Sequence, residues 1–135
     1  MHHETNIIGN VGKDAEMRYT PSGQAVTSFP VAANRSYTDG QGQKVKETCW
    51  YRVTTWGKTA EVCNEYVKKG MLVYVKGRLT PDKVTGGPRI WKKSDGEPAA
   101  NFELTAETVQ FLSRTADHEE QHTDGAIAPE DDIPF

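Results

Sequence analysis

Between Thr59 and Lys69 the apolar residues Ala60, Val62, Cys63, Tyr66 and Val67 recur at helical spacing, while the apolar stretches on either side read as strands. Thr59 is placed to cap this helix, with Glu61 in its first turn. Lys68 and Lys69 suit the negative end of its dipole, and Gly70 suits a left-handed stop. One helix set among short strands leaves few architectures open.

Three strands precede it. Thr5–Val11, apolar around Gly9, continues extended through Glu16–Tyr19 to the turn Thr20-Pro21-Ser22-Gly23. Ala25–Tyr37 follows, closed by Asp39-Gly40-Gln41-Gly42, and then the alternating stretch Lys46–Trp56. After the helix come Met71–Leu79, a long Gly- and Pro-containing loop over Thr80–Pro98, and a last strand over Asn101–Leu112. The predicted class is all-β with one helix. Its order, β-β-β-α-β-β, is that of a five-stranded Greek-key barrel of the OB-fold type, whose open face and long loops take oligonucleotides. The position of the helix argues against a plain β-sandwich. Pro30 cannot donate to a ladder, so an edge or a bulge is expected there.

The charge divides the chain. From Thr115 onward there are seven acids (Asp117, Glu119, Glu120, Asp124, Glu130, Asp131 and Asp132) and no Lys or Arg. Subtracting that −7 from the overall −3 leaves +4 for residues 1–114. We therefore expect an OB-type domain over residues 1–114 and a disordered acidic tail over 115–135. A basic body points to a polyanion, and an acidic tail with an apolar tip points to a separate protein partner. No apolar run is long enough to span a bilayer and no signal peptide is evident, so a cytoplasmic location is expected. Cys49 and Cys63 fit that compartment as small buried hydrophobes without a bridge. His2, His3, His118 and His122 lie near the ends without a ligand framework, so neither metal nor cofactor is inferred.

Alternation over the third strand puts Trp50, Arg52, Thr54 and Trp56 on one face, and Cys49, Tyr51, Val53 and Thr55 on the other. The second set suits a core or subunit contact. Two indoles around a guanidinium suit stacked bases and phosphates, although Trp and Tyr also serve cores and interfaces. Further rings and cations stand at Arg35, Tyr37, Lys58, Lys69, Tyr74, Lys76, Arg78, Lys83 and Trp91, with Arg89, Lys92 and Lys93 in the same long loop. Rings interleaved with cations offer a single strand both a phosphate track and base platforms. There is no array of base-reading side chains on a recognition helix, so binding should tolerate any sequence. No phosphate-cradling Gly-rich loop or Ser–His or Cys–His pair is evident in the body, which argues against an enzyme. Asp14 and Glu16 could in principle hold a nuclease metal ion, but they are flanked by Lys13 and Arg18 and read more simply as a solvated pair.

These residues fall into an ordered set: Gly9-Asn10-Val11-Gly12-Lys13-Asp14, Arg18-Tyr19-Thr20-Pro21-Ser22-Gly23, Asn34-Arg35-Ser36-Tyr37, Trp50-Tyr51-Arg52-Val53, Trp56-Gly57-Lys58-Thr59-Ala60-Glu61, Tyr66-Val67-Lys68-Lys69-Gly70 and Val75-Lys76-Gly77-Arg78-Leu79, ending in Ile133-Pro134-Phe135. Over nearly its whole length the chain resembles the bacterial-type single-stranded DNA-binding protein family. The resemblance implies an OB-fold that assembles, usually as a homotetramer, with single-stranded DNA wrapped around it. It puts stacking aromatics at Tyr37, Trp50 and Trp56, and basic contacts at Arg52, Lys58, Lys69 and Lys83. It makes Asp131, Asp132, Ile133, Pro134 and Phe135 the tip that docks onto replication and repair proteins. Val84 stands where many relatives carry a loop tryptophan, with Trp91 further along. Tyr51 stands where a histidine is common, and the linker before the tip is short. The function so implied is sequence-independent binding and protection of single-stranded DNA in replication, recombination and repair. The alternative is an OB-fold adaptor of primosome type, whose groove meets proteins.

Overall fold

The computed structural model describes residues 1–113, so the acidic tail and its tip lie outside the described residues. Along the chain run β1 (Thr5–Val11), β2 (Glu16–Tyr19), β3 (Ala25–Thr38), β4 (Lys44–Trp56), α1 (Gly57–Tyr66), β5 (Leu72–Leu79), β6 (Ile90–Lys92), β7 (Pro98–Ala100) and β8 (Phe102–Phe111). The six-stranded sheet runs β1-β5-β8-β4-β3-β2, and a further β1–β3 pairing closes five of these strands into a barrel. β4 and β8 run parallel, the other neighbours antiparallel. This is the expected OB-fold, with its first strand broken into β1 and β2 around residues 12–15.

Alternation decides which side chains enter the barrel. Ile7, Val11, Phe29, Val31, Val53, Val73, Val75 and Leu104 point inward and are essentially inaccessible, and Val67 and Met71 join them beyond the helix. The helix lies over one end of the barrel and buries Ala60 and Cys63. Two hydroxyls knit that end together: Thr27 Oγ1 donates to the Ala60 carbonyl at 2.6 Å, and Thr55 Oγ1 donates to the Thr27 carbonyl at 3.1 Å. Both threonines are fully buried, and these bonds offset the desolvation of their hydroxyls.

The helix exists where its period predicts it, but its ends differ. It begins at Gly57, two residues before the expected cap. Trp56 occupies the cap position with no side-chain hydrogen bond, and the first turn holds no acid. It ends at Tyr66, so Lys68 and Lys69 lie beyond its last turn, and the extended cap residue Val67 donates to the Cys63 carbonyl. Burial of Val67 takes the chain out of the helix early. Gly70 does take a positive φ of 92°, in the turn that leads into β5 rather than as the helix stop.

Two other expectations are refined. Pro30 sits in an unbroken ladder with β4, opposite Arg52, with no bulge. Its carbonyl accepts the Gly12 amide at 2.9 Å, so its backbone faces away from β4, where β2 pairing ends at Ser28 and β1 pairing begins at Val31. The missing N–H falls in this gap, which is a local edge. The long loop is also not uniform: β6 and β7 form a hairpin closed by Lys93–Gly96, with the Lys93 amide donating to the Glu97 carbonyl at 2.8 Å.

Both cysteines are free, Cys49 half-buried and Cys63 fully buried. Burial pushes the Cys63 thiol up to about 11, against a smaller opposing effect of the Thr55 hydrogen bond. Tyr51 is raised as well, by burial first and Cys49 second. In both, the folded chain keeps a proton that the unfolded chain releases. Their stabilisation is therefore complete below the unfolded values and lost as pH rises through the folded ones. Thermal unfolding followed from about pH 8 to 11 should show a falling midpoint, with part of the fall absent in Cys63→Val.

Candidate nucleic-acid interface

The exposed face of β4 is built by strict alternation. Val53 and Thr55 are fully buried, whereas Trp50 is 52 % and Trp56 41 % exposed, with Arg52 exposed between them. Their partners across the β3 ladder are Ala32 for Trp50, Pro30 for Arg52 and Val26 for Trp56, all compact side chains that leave the rings standing clear. On the other flank, β8 pairs in parallel so that Glu103 lies beside Arg52 and Thr105 beside Thr54, and Arg78 of β5 lies beside Thr105. Trp50, Arg52, Thr54, Trp56, Glu103, Thr105 and Arg78 therefore share one outward surface across three strands.

Trp50 rests on a floor that its sequence neighbours do not reveal. A Cβ added to Gly12 would come within 2.7 Å of the indole Cζ3 and 3.5 Å of Pro30 Cγ. The absence of a side chain at Gly12 thus lets the ring lie down on the β1–β2 connection. Lys13, Pro30, Trp50 and Arg52 line a shallow cleft there. A larger open groove on the other side of Trp50 is lined by Arg35, Tyr74, Ile8 and Phe102. Gly12 and Phe102 were not singled out from the sequence. A glycine beside an extended segment gives no cue to a ring arriving from another strand, and alternation would have counted Phe102 with the buried Leu104.

The remaining predicted residues are dispersed. Arg35 and Tyr37 lie on β3 opposite Glu47 and Val45, hence in the alternation set of Cys49 and Tyr51, not of Trp50. They are exposed, Arg35 packing 4.7 Å above the Tyr37 ring while its Nη1 meets Glu47 at 2.9 Å. Tyr74, Lys76 and Arg78 share one face of β5. Tyr74 donates its hydroxyl to Asn6 Oδ1 at 2.7 Å, Lys76 lies 3.8 Å from Glu4, and Arg78 lies 3.4 Å from Glu107. Solvent screens exposed ion pairs of this kind strongly, so these cations are held only loosely by their carboxylates.

Lys58 is exposed in the first turn of α1. Lys69 is exposed too, and its amide donates to Asp14 Oδ1 at 2.8 Å. Asp14 is thus a loop anchor rather than half of a carboxylate pair with Glu16. Lys83 sits in a turn folded around Asp82, whose carboxylate accepts the amides of Val84 and Thr85 and is held below its ordinary range by Thr85 first and Val84 second. Trp91 is on the β6–β7 hairpin, with the Arg89 guanidinium 5.3 Å over its ring. No helix among the described residues is long and apolar enough to cross a membrane.

Set beside known proteins, residues 2–112 match the profile of the "Single-strand binding protein family". A "Single-stranded DNA-binding protein" of Neisseria meningitidis serogroup A is 37% identical over 106 residues, which cover 78% of this chain and 57% of that protein. One from Wolinella succinogenes is 33% identical over 112 residues, covering 83% of this chain and 65% of that one. The chain thus spans somewhat less than two thirds of the length of either relative. Among solved structures, "Plasmodium falciparum SSB complex with ssDNA" superposes with a TM-score of 0.67 at 23% identity, covering 84% of this chain and 96% of that chain. A deletion mutant of the single-stranded DNA binding protein from Thermus aquaticus superposes at 0.65 and 28% identity, covering 84% and 52%.

Proposed function

The chain belongs to the single-strand binding protein family, and from that membership we propose that it binds single-stranded DNA without sequence preference and without catalysis. One observation carries this reading: two indoles stand exposed on one face of β4, with a guanidinium between them. Each ring offers an unpaired base a flat surface, and stacking of this kind is worth about 1–3 kcal/mol per base whatever the base is. Arg52, Lys58, Lys69 and Lys83 supply the backbone contacts, with Arg35, Tyr37, Tyr74, Lys76 and Arg78 extending the track. Each phosphate neutralised adds a salt-sensitive increment, with a logarithmic slope of about −0.7. Protection of single strands in replication, recombination and repair is the role that such binding serves.

Self-association belongs to the same proposal. Thr5–Ile8 of β1 is paired with β5 on one side only, because β3 reaches just Asn10 and Val11. An open strand edge beside exposed Ile8 invites a second copy of the chain. We propose a homotetramer, the number of subunits coming from the family resemblance. The tail, over residues 115–135, would recruit replication and repair proteins: Phe135 enters an apolar pocket while Asp131 and Asp132 meet basic residues. Deleting 115–135 is expected to abolish that recruitment and to leave DNA affinity equal or higher at low salt, as measured by pull-down and by titration.

Titrating tryptophan fluorescence with dT oligomers tests the central reading. Deep, saturable quenching that weakens with salt is expected. No change would instead favour the adaptor reading, in which the groove meets proteins. Incubation of a labelled single strand with Mg²⁺ should leave it intact; cleavage would sink the non-catalytic reading.

A further inference from the structure

The β6–β7 hairpin forms its own two-stranded sheet and joins no barrel strand. A lone hairpin of three residues per strand is marginally stable by itself. Among the described residues, the hydrogen bonds that tie residues 81–100 to the barrel come down to one side chain. Arg89 donates Nε to Glu103 Oε2 at 3.0 Å and Nη2 to Glu103 Oε1 at 3.3 Å, a bidentate pair. Glu103 is well suited to the role: its side chain is only 15 % exposed, the least of any acid in an ion pair here. It also sits on β8 directly beside Arg52, within the surface that presents Trp50 and Trp56. The same guanidinium covers the Trp91 ring at 5.3 Å, within the range of a cation–π contact.

We propose that Arg89 is a positioning residue that, clamped by Glu103, brings Trp91 onto the β4 surface as a third indole platform for single-stranded DNA. The proposal rests on the DNA-binding reading above and extends it to the arm. Arg89 packs over one face of the Trp91 ring, which is half-buried and so keeps only part of its surface for a base. Its planar fork performs both tasks at once, which a lysine of the same charge cannot do. Glu103 gives the proposal an unusual signature. Pure electrostatics says that removing a negative charge next to a polyanion site tightens binding, whereas loss of the clamp weakens it.

The experiment uses the full chain. Affinity for a labelled dT oligomer is measured for Trp91→Ala, Arg89→Lys, Glu103→Gln and Trp50→Ala. The near-ultraviolet circular dichroism of a Trp50→Phe, Trp56→Phe protein, in which Trp91 is the sole indole, is recorded without DNA, with and without Glu103→Gln. Trp91→Ala is expected to weaken binding about fivefold or more. Arg89→Lys and Glu103→Gln should each weaken it about threefold or more, with no further loss when either is combined with Trp91→Ala. The Trp91 dichroism should collapse in Glu103→Gln. Equal or tighter binding by Glu103→Gln, an unchanged dichroism band, or losses that add to that of Trp91→Ala would overturn the proposal. If Trp91→Ala binds normally while Trp50→Ala does not, the arm proposal fails and the DNA reading stands. If the unaltered protein does not bind dT, the DNA reading itself fails.

Discussion

Replacing Trp50 and Trp56 together by alanine will weaken binding of a dT oligomer by about thirtyfold or more, while the barrel stays folded. Each ring contributes about 1 kcal/mol at the lower end of stacking, and about 1.4 kcal/mol makes a factor of ten in affinity. The fold should survive because neither ring belongs to the core cluster, so truncation exposes backbone already near solvent and opens no internal cavity. Fluorescence anisotropy of the labelled oligomer gives the affinity, and far-ultraviolet circular dichroism checks the fold. Affinity within twofold of the unaltered protein would show that DNA does not use this face. Gly12→Ala should produce a milder form of the same loss, since the added methyl group must push the Trp50 ring aside.

The second large effect is on stability. At Gly77 an added Cβ would run into the carbonyl oxygen of Thr105, and at Gly9 into that of Ala32. Both obstacles are backbone atoms of paired strands, which cannot swing away as a side chain can. Gly77 also lies where β8 bulges, the register slipping between Lys76 and Gly77 so that Glu107 is left over. Gly77→Ala and Gly9→Ala should each cost about 1–3 kcal/mol, a large part of the roughly 5–15 kcal/mol that holds a domain together. Gly40→Ala is the control: it meets nothing within 4 Å and should shift stability by less than about 0.5 kcal/mol. Urea midpoints measure all three. A Gly77→Ala protein as stable as the unaltered one would mean that β5 and β8 can part more easily than their ladder suggests.

Much of this was legible from the residues alone, where the physics is local. The change of period at Thr59 announced the helix, and alternation from Cys49 to Trp56 separated the buried from the exposed side of β4. What failed to show was set by distant partners. Helix propensity favours continuing to Lys69, but burial of Val67 against the barrel ends the helix at Tyr66. Asp95-Gly96 is a recognisable hairpin turn, yet the strands beside it are three residues long and too short for alternation to reveal. The nearness of Glu103 to Arg52 depends on a β4–β8 register that no local pattern encodes, and the same holds for the approach of Gly12 to Trp50.

That parallel β4–β8 seam has a consequence for how the molecule comes into being. Tyr51 meets Phe102, about fifty positions later in the chain, with the helix, β5 and the whole arm made in between. Contacts so remote in sequence slow folding, because the intervening loop must close before they reward it. During synthesis the early strands must wait, one edge of β4 bare, until β8 has emerged. Neither half of the barrel is a self-sufficient unit, and the barrel closes only with β8, the last of its five strands along the chain.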